Sequence, residues 1–250
     1  LEYFCAWSFV WQFNETHSLG IDGLIDDVFG SHWRDEKWHE VLRLISGMID
    51  AKFVGDIISY LMEQDGEKEK FQNLFLAGKC LLEVRSRLGI DDVESQLLNR
   101  LKHLTGYDFV CFDISRKEDF VSQIKICIQA VEIVATSWRD NPLTYDWLKQ
   151  MVEFDEDEFV QREAVRQIAT GWKQEPGVLE LLKQLVESDE SEFVRHEAVR
   201  QIASGWKQEP GILELLKQWV VSHESKIVRA VAVQEIASGW KQVGSRSREF

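Results

Sequence analysis

The sequence predicts an all-α protein in which irregular helical hairpins lead into an α-solenoid. Three observations carry this. Trp138, Trp172, Trp206 and Trp240 recur every 34 residues, as do Pro142, Pro176 and Pro210, which are all the prolines in the chain. Trp172–Gly205 matches Trp206–Gly239 at 24 of 34 positions and Trp138–Gly171 at 20 of 34. Within each copy the apolar residues stand at helical spacing, and a fixed period of this size marks stacked repeats.

Each copy reads as two helices, A and B. In the middle copy Pro176 suits the first turn of helix A, where its missing N–H needs no partner. Val178, Leu181, Leu182 and Leu185 follow as one apolar stripe. Ser188 and Asp189 break that helix and can cap the next. Val194, Ala198 and Ile202 line helix B, and Gly205 stands where a left-handed terminal residue is expected. One pair cannot cover both stripes, whereas stacked pairs can. The periodic tryptophans could form a ligand ladder, but a large aromatic after a helix end reads first as a spacer packed between successive pairs.

The period fits a tetratricopeptide unit, yet the Trp-x2-Leu-Gly-x2-Tyr pattern is missing. The units resemble HEAT repeats instead, over roughly residues 120–240. Pro176 opening helix A and Asp189…Val194-Arg195…Ala198 carry the resemblance, with Asp155…Val160…Ala164 and Val228-Arg229…Ala232 in the flanking copies. The resemblance implies that the Arg after the Val ties to an Asp of an adjacent turn. Gln161 replaces that Arg in the first copy and His223 replaces the Asp in the third, which interrupts the expected ladder.

The net charge of −14 divides as −9 over residues 1–137, −7 over 138–240 and +2 over 241–250. No stretch is basic enough to hold a phosphate backbone, which weighs against nucleic acid and leaves room only for a small local patch. An acidic face suits a basic protein or peptide, with a plain solvated surface as the competing account. Cys5, Cys80, Cys111 and Cys127 lie in apolar stretches without metal spacing, as reduced thiols of a cytoplasmic protein do. The 13-residue run Leu1–Phe13 is too short to span a bilayer. A start at Leu1, inside a helical pattern, suggests a piece of a longer protein.

Three divisions follow: 1–115 as helical hairpins, 116–242 as the repeat array with a degenerate copy before Trp138, and 243–250 as a frayed tail. Leu1–Phe13 is apolar all round and reads as a buried helix. Asp22–Phe29 is a short helix closed by Gly30. The next helix starts around His32, with Asp35 and Glu36 at its positive end. Ala51–Glu63 follows as an amphipathic helix, Phe71–Leu88 as a long apolar helix ended near Gly89, and Asp91–Leu104 as a helix that starts with an acidic cap. Tyr107–Phe112 is a loop or an isolated strand, and Lys117–Ser137 resumes helix.

The sequence supports no catalytic residue, metal ligand or cofactor site. His32 and His39 stand seven apart and bring no second cluster, so they read as capped or surface histidines. Asp155–Glu158 lacks the alternating ligands and glycine of a calcium loop. Gly78-Lys79 lacks the rest of a phosphate-binding loop. The candidate partner-binding residues are Arg162, Arg166, His196 and Arg200 on the B helices. Arg166 and Arg200 lie about 240° around from Val160 and Val194, away from the apolar stripe, and surface charge pairing is the competing account of them.

Glu2-Tyr-Phe-Cys-Ala-Trp7, Phe9–Phe13, His32-Trp33 and Trp38–Ile45 resemble the region after the nucleotide-binding module of bacterial, especially cyanobacterial, NACHT-family NTPases. The likeness covers roughly residues 1–60. It implies a parent signalling ATPase whose ATP or ADP and Mg sites lie upstream in a NACHT module in cis. This stretch would then be a non-catalytic helical arm and sensor, of a kind associated with phage defence. The array also resembles phycobilin lyases at the level of the repeat alone, and a plain structural spacer is the third reading.

Overall fold

The computed structural model describes residues 1–106, 117–155 and 157–240, and every regular element among them is helical. The contacts divide the chain into two compact units, Leu1–Trp138 and Arg139–Phe250.

The first unit comprises α1 (Glu2–Asn14), α2 (Ile21–Gly23), a π-helical turn (Leu24–Phe29), α3 (Gly30–His32), a 3-10 turn (Glu36–Trp38), α4 (His39–Met48), α5 (Ala51–Glu63), α6 (Gln72–Glu83), α7 (Asp91–Leu104) and α8 (Lys117–Ser137). Helix α6 is its centre and packs against α4, α5, α7 and α8. Its face from Leu74 to Leu81 is almost continuously buried. Gly78 is required by close approach, since a Cβ there would lie 2.4 Å from Cγ2 of Ile133 on α8. Buried Asn73 donates to the carbonyls of Leu61 (2.9 Å) and Gln64 (3.0 Å), stapling the end of α5. Arg87 ties α8 down by donating to the Ser137 carbonyl at 2.7 Å, and it also pairs with Glu94 at 2.6 Å.

Several sequence expectations change here. The first helix is not buried all round: Ala6, Val10 and Phe13 face inward while Phe4, Trp7 and Trp11 are exposed, because only α4 packs broadly on it. Gly30 does not end a helix. It sits within one at φ −58°, where a Cβ would meet the Tyr60 hydroxyl at 2.6 Å. Helix α4 starts at His39, after Asp35 caps the 3-10 turn by accepting from the Lys37 N–H. Helix α6 stops at Glu83, not Leu88, as Val84 turns extended and Leu88 faces solvent. The Tyr107–Phe112 segment and the tail lie outside the described residues. Phe120–Ser137 of α8 is long and apolar enough to cross a bilayer, with mean hydropathy 1.3, but nearly half of it is buried, on α6 and α7. By the 34-residue register α8 belongs with the array; by its contacts it belongs to the first unit.

The second unit holds three A–B pairs: α9 (Pro142–Phe154) with α10 (Glu158–Gly171), α11 (Val178–Ser188) with α12 (Glu192–Gly205), and α13 (Ile212–Ser222) with α14 (Lys226–Gly239). Each A helix packs on its own B helix, and the B helices stack on one another, α10 on α12 and α12 on α14. Trp172 and Trp206 are buried at equivalent places, and each N–H bonds the helix-B carbonyl four residues back. Trp138 is buried at the matching position in the first unit, while Trp240 is half-buried at the end of the described residues. Lys173 and Lys207 lie over the rings of Trp206 and Trp240 at 5.7 and 5.5 Å, the same contact one repeat apart.

Two details of the repeat differ from expectation. Pro142 does begin α9, with Asn141 capping it, but Pro176 and Pro210 precede their helices. There Pro-Gly fills the centre of a type II turn: Gly177 has φ 90° and ψ −9°, and the Val178 N–H returns to the Glu175 carbonyl. Leu143 follows Pro142 and disfavours a positive φ, so the first copy takes the capped helix instead. Gly205 is the last residue of α12 and is not left-handed; Trp206 is the cap, at φ −111°.

Candidate partner-binding surfaces

The A–B turns of the second unit repeat one device. Asp155 and Asp189 accept the N–H of the residue two ahead, at 2.9 and 2.8 Å, and His223 does the same through Nδ1 at 3.0 Å. That residue then caps helix B: Asp157, Ser191 and Ser225 in turn. Six residues after the turn, a side chain reaches back to the turn carbonyl. Gln161 donates to the Asp155 carbonyl at 2.8 Å, Arg195 to that of Asp189, and Arg229 to that of His223 at 2.6 Å. The ladder is therefore continuous despite Gln161 and His223. Its acceptor is a backbone carbonyl of the same unit rather than a carboxylate, which every residue supplies. Because Nδ1 of His223 accepts, its proton sits on Nε2, which faces the Val186 carbonyl at 3.2 Å.

Between successive turns lie two equivalent grooves. The first, of about 450 Å³, is lined by Val152, Glu153, Glu158, Gln161, Leu185 and the turn from Asp189 to Ser191. The second, of about 690 Å³, holds the same positions one repeat later: Glu187, Glu192, Arg195, Trp219 and the turn from His223 to Ser225. Ser191 bridges units by donating to Glu158 at 3.0 Å, and the Trp219 indole donates to Glu187 at 2.7 Å. Partial burial raises the Asp189 carboxyl above its ordinary 3.8, opposed by the Ser191 N–H and then by Arg195.

Arg162, Arg166, His196 and Arg200 lie on the stacked B helices. Burial lowers the His196 pKa below the ordinary 6.5, helped by Arg200 and Arg162 and opposed by Glu197 and Glu235. Arg162 on α10, His196 and Arg200 on α12, and Glu235 on α14 thus share one electrostatic neighbourhood spanning three B helices. Arg166 is the one-repeat-earlier counterpart of Arg200. What the sequence reading missed is the pair of buried carboxylates that hold these arginines. Glu163 accepts from Arg166 at 2.8 Å and from Gln167 at 2.7 Å; Glu197 accepts from Gln201 at 2.7 Å and pairs with Arg200 at 3.6 Å. The signal was present: Glu-Ala-Val-Arg-Gln-Ile-Ala occurs in both copies, with the Glu one helical turn before its partners.

Of the two histidines expected to be capped or on the surface, His39 is instead in the core. His39 is buried and its Nε2 donates to the Trp33 carbonyl at 2.7 Å, while His32 stacks on Trp38 at 3.7 Å.

Stacked A–B pairs, with a B-helix side chain closing each turn, decide the architecture. Residues 144–237 match the family model for HEAT repeats. The HEAT region spans α9 to α14 nearly end to end, and helix α8, which shares the repeat register, lies outside the match. No curated protein and no solved structure matches the chain. The HEAT units expose two unlike surfaces. On the B-helix face Arg166 and Arg200 are matched by Glu163, Glu197 and Glu235, while Arg162 lies over the Phe159 ring. The grooves at the A–B turns carry an excess of carboxylates.

Proposed function

We propose that the HEAT region is a non-catalytic docking scaffold whose A–B grooves take a basic segment of a partner protein. The observation that carries this is the pair of repeat-equivalent grooves, each with carboxylates around an apolar floor of Val152 and Leu185 or Trp219. Lysine or arginine side chains one repeat apart on an extended segment would meet carboxylates in both grooves, more of them in the first, where Gln161 and Asp189 stand in place of Arg195 and His223, and the favourable field would speed association. Arg166 and Arg200 are weaker candidates, because a ligand there must displace the glutamates that already hold them.

In this reading the chain is the sensing arm of a cytoplasmic signalling NTPase of NACHT type, active in bacterial defence. Its support is the resemblance within residues 1–60. ATP or ADP and Mg would bind the upstream module, and a partner on the HEAT units would act by preferring one state of that switch.

Calorimetry of the chain with a Lys/Arg-rich peptide tests the docking site. Glu153→Lys and Glu187→Lys together should weaken binding about tenfold, and added salt should weaken it further. Arg166→Glu with Arg200→Glu should leave it unchanged. The opposite pattern moves the site to the B face, and binding indifferent to all four changes refutes docking through these units.

A further inference from the structure

On α1, Phe4, Trp7 and Trp11 are 72%, 50% and 46% exposed. Their spacing of three and four residues puts them within about 60° of one another around the helix, with Tyr3 alongside. The Trp7 and Trp11 rings stack at 6.4 Å. The opposite face holds Ala6, Val10 and Phe13 in the core, with Phe9 against Trp38 and Phe13 against Phe53. Helix α1 is therefore fixed from behind and presents aromatic rings forward. Aromatic anchors on a rigid element supply most of the energy in protein interfaces.

We infer that this stripe docks an amphipathic helix of a partner protein whose apolar residues are flanked by lysine or arginine. Charge argues for that partner. Glu2 and Glu15 stand at the two ends of α1, and the helix holds no lysine or arginine. A second copy of α1 would bring the same two glutamates and no basic residue to meet them. Area argues the same way. Four aromatics about half exposed offer about 400 Å², half the roughly 800 Å² per partner of a standard stable interface. One helix laid along the stripe, with anchors three and four residues apart, matches that size. This surface belongs to the first unit and the HEAT grooves to the second.

Two fluorescent peptides with the same leucine stripe, one ended by lysine pairs and one by glutamate pairs, test it by anisotropy with the whole chain. The Lys-ended peptide should bind at micromolar strength and at least about tenfold tighter than its twin at low salt, and it should shift tryptophan emission to the blue. Trp7→Ser with Trp11→Ser should abolish this at an unchanged melting temperature, whereas Glu153→Lys with Glu187→Lys should not affect it. Should the double serine variant misfold, Glu15→Lys reads the same site by narrowing the gap between peptides. Equal affinity for both peptides, binding of neither, or binding that survives the serine changes overturns the proposal. So does a dimer in sedimentation that the serine changes dissolve, since the occupant is then a second copy.

Discussion

In the first unit, α6 is surrounded by α4, α5, α7 and α8, and each contact is unlike the others. In the HEAT region, α12 meets its own A helix and the B helices before and after it, and those contacts are copies. The first unit fits unique shapes together, such as Gly78 beneath Ile133 and Asn73 under the end of α5. The HEAT region instead reuses one turn device and one tryptophan position. A repeated solution tolerates substitution wherever the backbone supplies the partner, as Gln161 and His223 show; a unique one does not.

The largest expected effect is at Trp206, where substitution by Ala should cost about 3–5 kcal/mol. Chemical denaturation measures the loss. Hydrogen exchange should place it in α12 to α14 and spare α4 to α6, because repeat units depend mainly on their neighbours. Loss of protection throughout the chain would break the contrast.

Gly78→Ala sets the converse case, costing about 1–3 kcal/mol through overpacking against Ile133, with protection lost in α6 and α8. Thr144 tests the repeat itself. It is fully buried in α9 where the later copies have Val178 and Ile212, and its hydroxyl finds no hydrogen-bond partner among the described residues. Thr144→Val should stabilise the chain by about 1 kcal/mol.

Asp189 separates hydrogen bond from charge. Asp189→Ala removes the acceptor for the Ser191 N–H and should cost about 1 kcal/mol. Asp189→Asn keeps the acceptor and should cost nothing at neutral pH. Because burial raises this carboxyl in the folded state, its ionisation opposes folding as pH climbs from 3.8 through the raised value. Asp189→Asn should flatten that slope in a pH series of melts.

His196 gives the smallest effect. Its lowered pKa means that the unfolded chain protonates first, so stability falls as pH drops below 6.5 toward the folded-state value. NMR titration should place its midpoint below 6.5, and Glu235→Gln should lower it further by removing an opposing charge.

Much of this was legible in the residues. The 34-residue period, the helix spans Ala51–Glu63, Asp91–Leu104 and Lys117–Ser137, and the burial of Trp172 and Trp206 all followed from local spacing. Helix ends were less legible where a turn competed, as at Pro176-Gly177, since proline suits both a first helical turn and a type II turn. The candidate arginines were found by their position on helix B, but the glutamates that hold them were not. Burial of a carboxylate depends on what the neighbouring unit covers.

By itself, then, the sequence determined the all-helical class, the repeat and its stacking, because those follow from apolar periodicity along the chain. Only the tertiary structure decided which face of α1 stays open, that α8 packs into the first unit, and that carboxylates gather between successive turns. Each of those depends on residues far apart in sequence meeting across a packed layer, which no local pattern records.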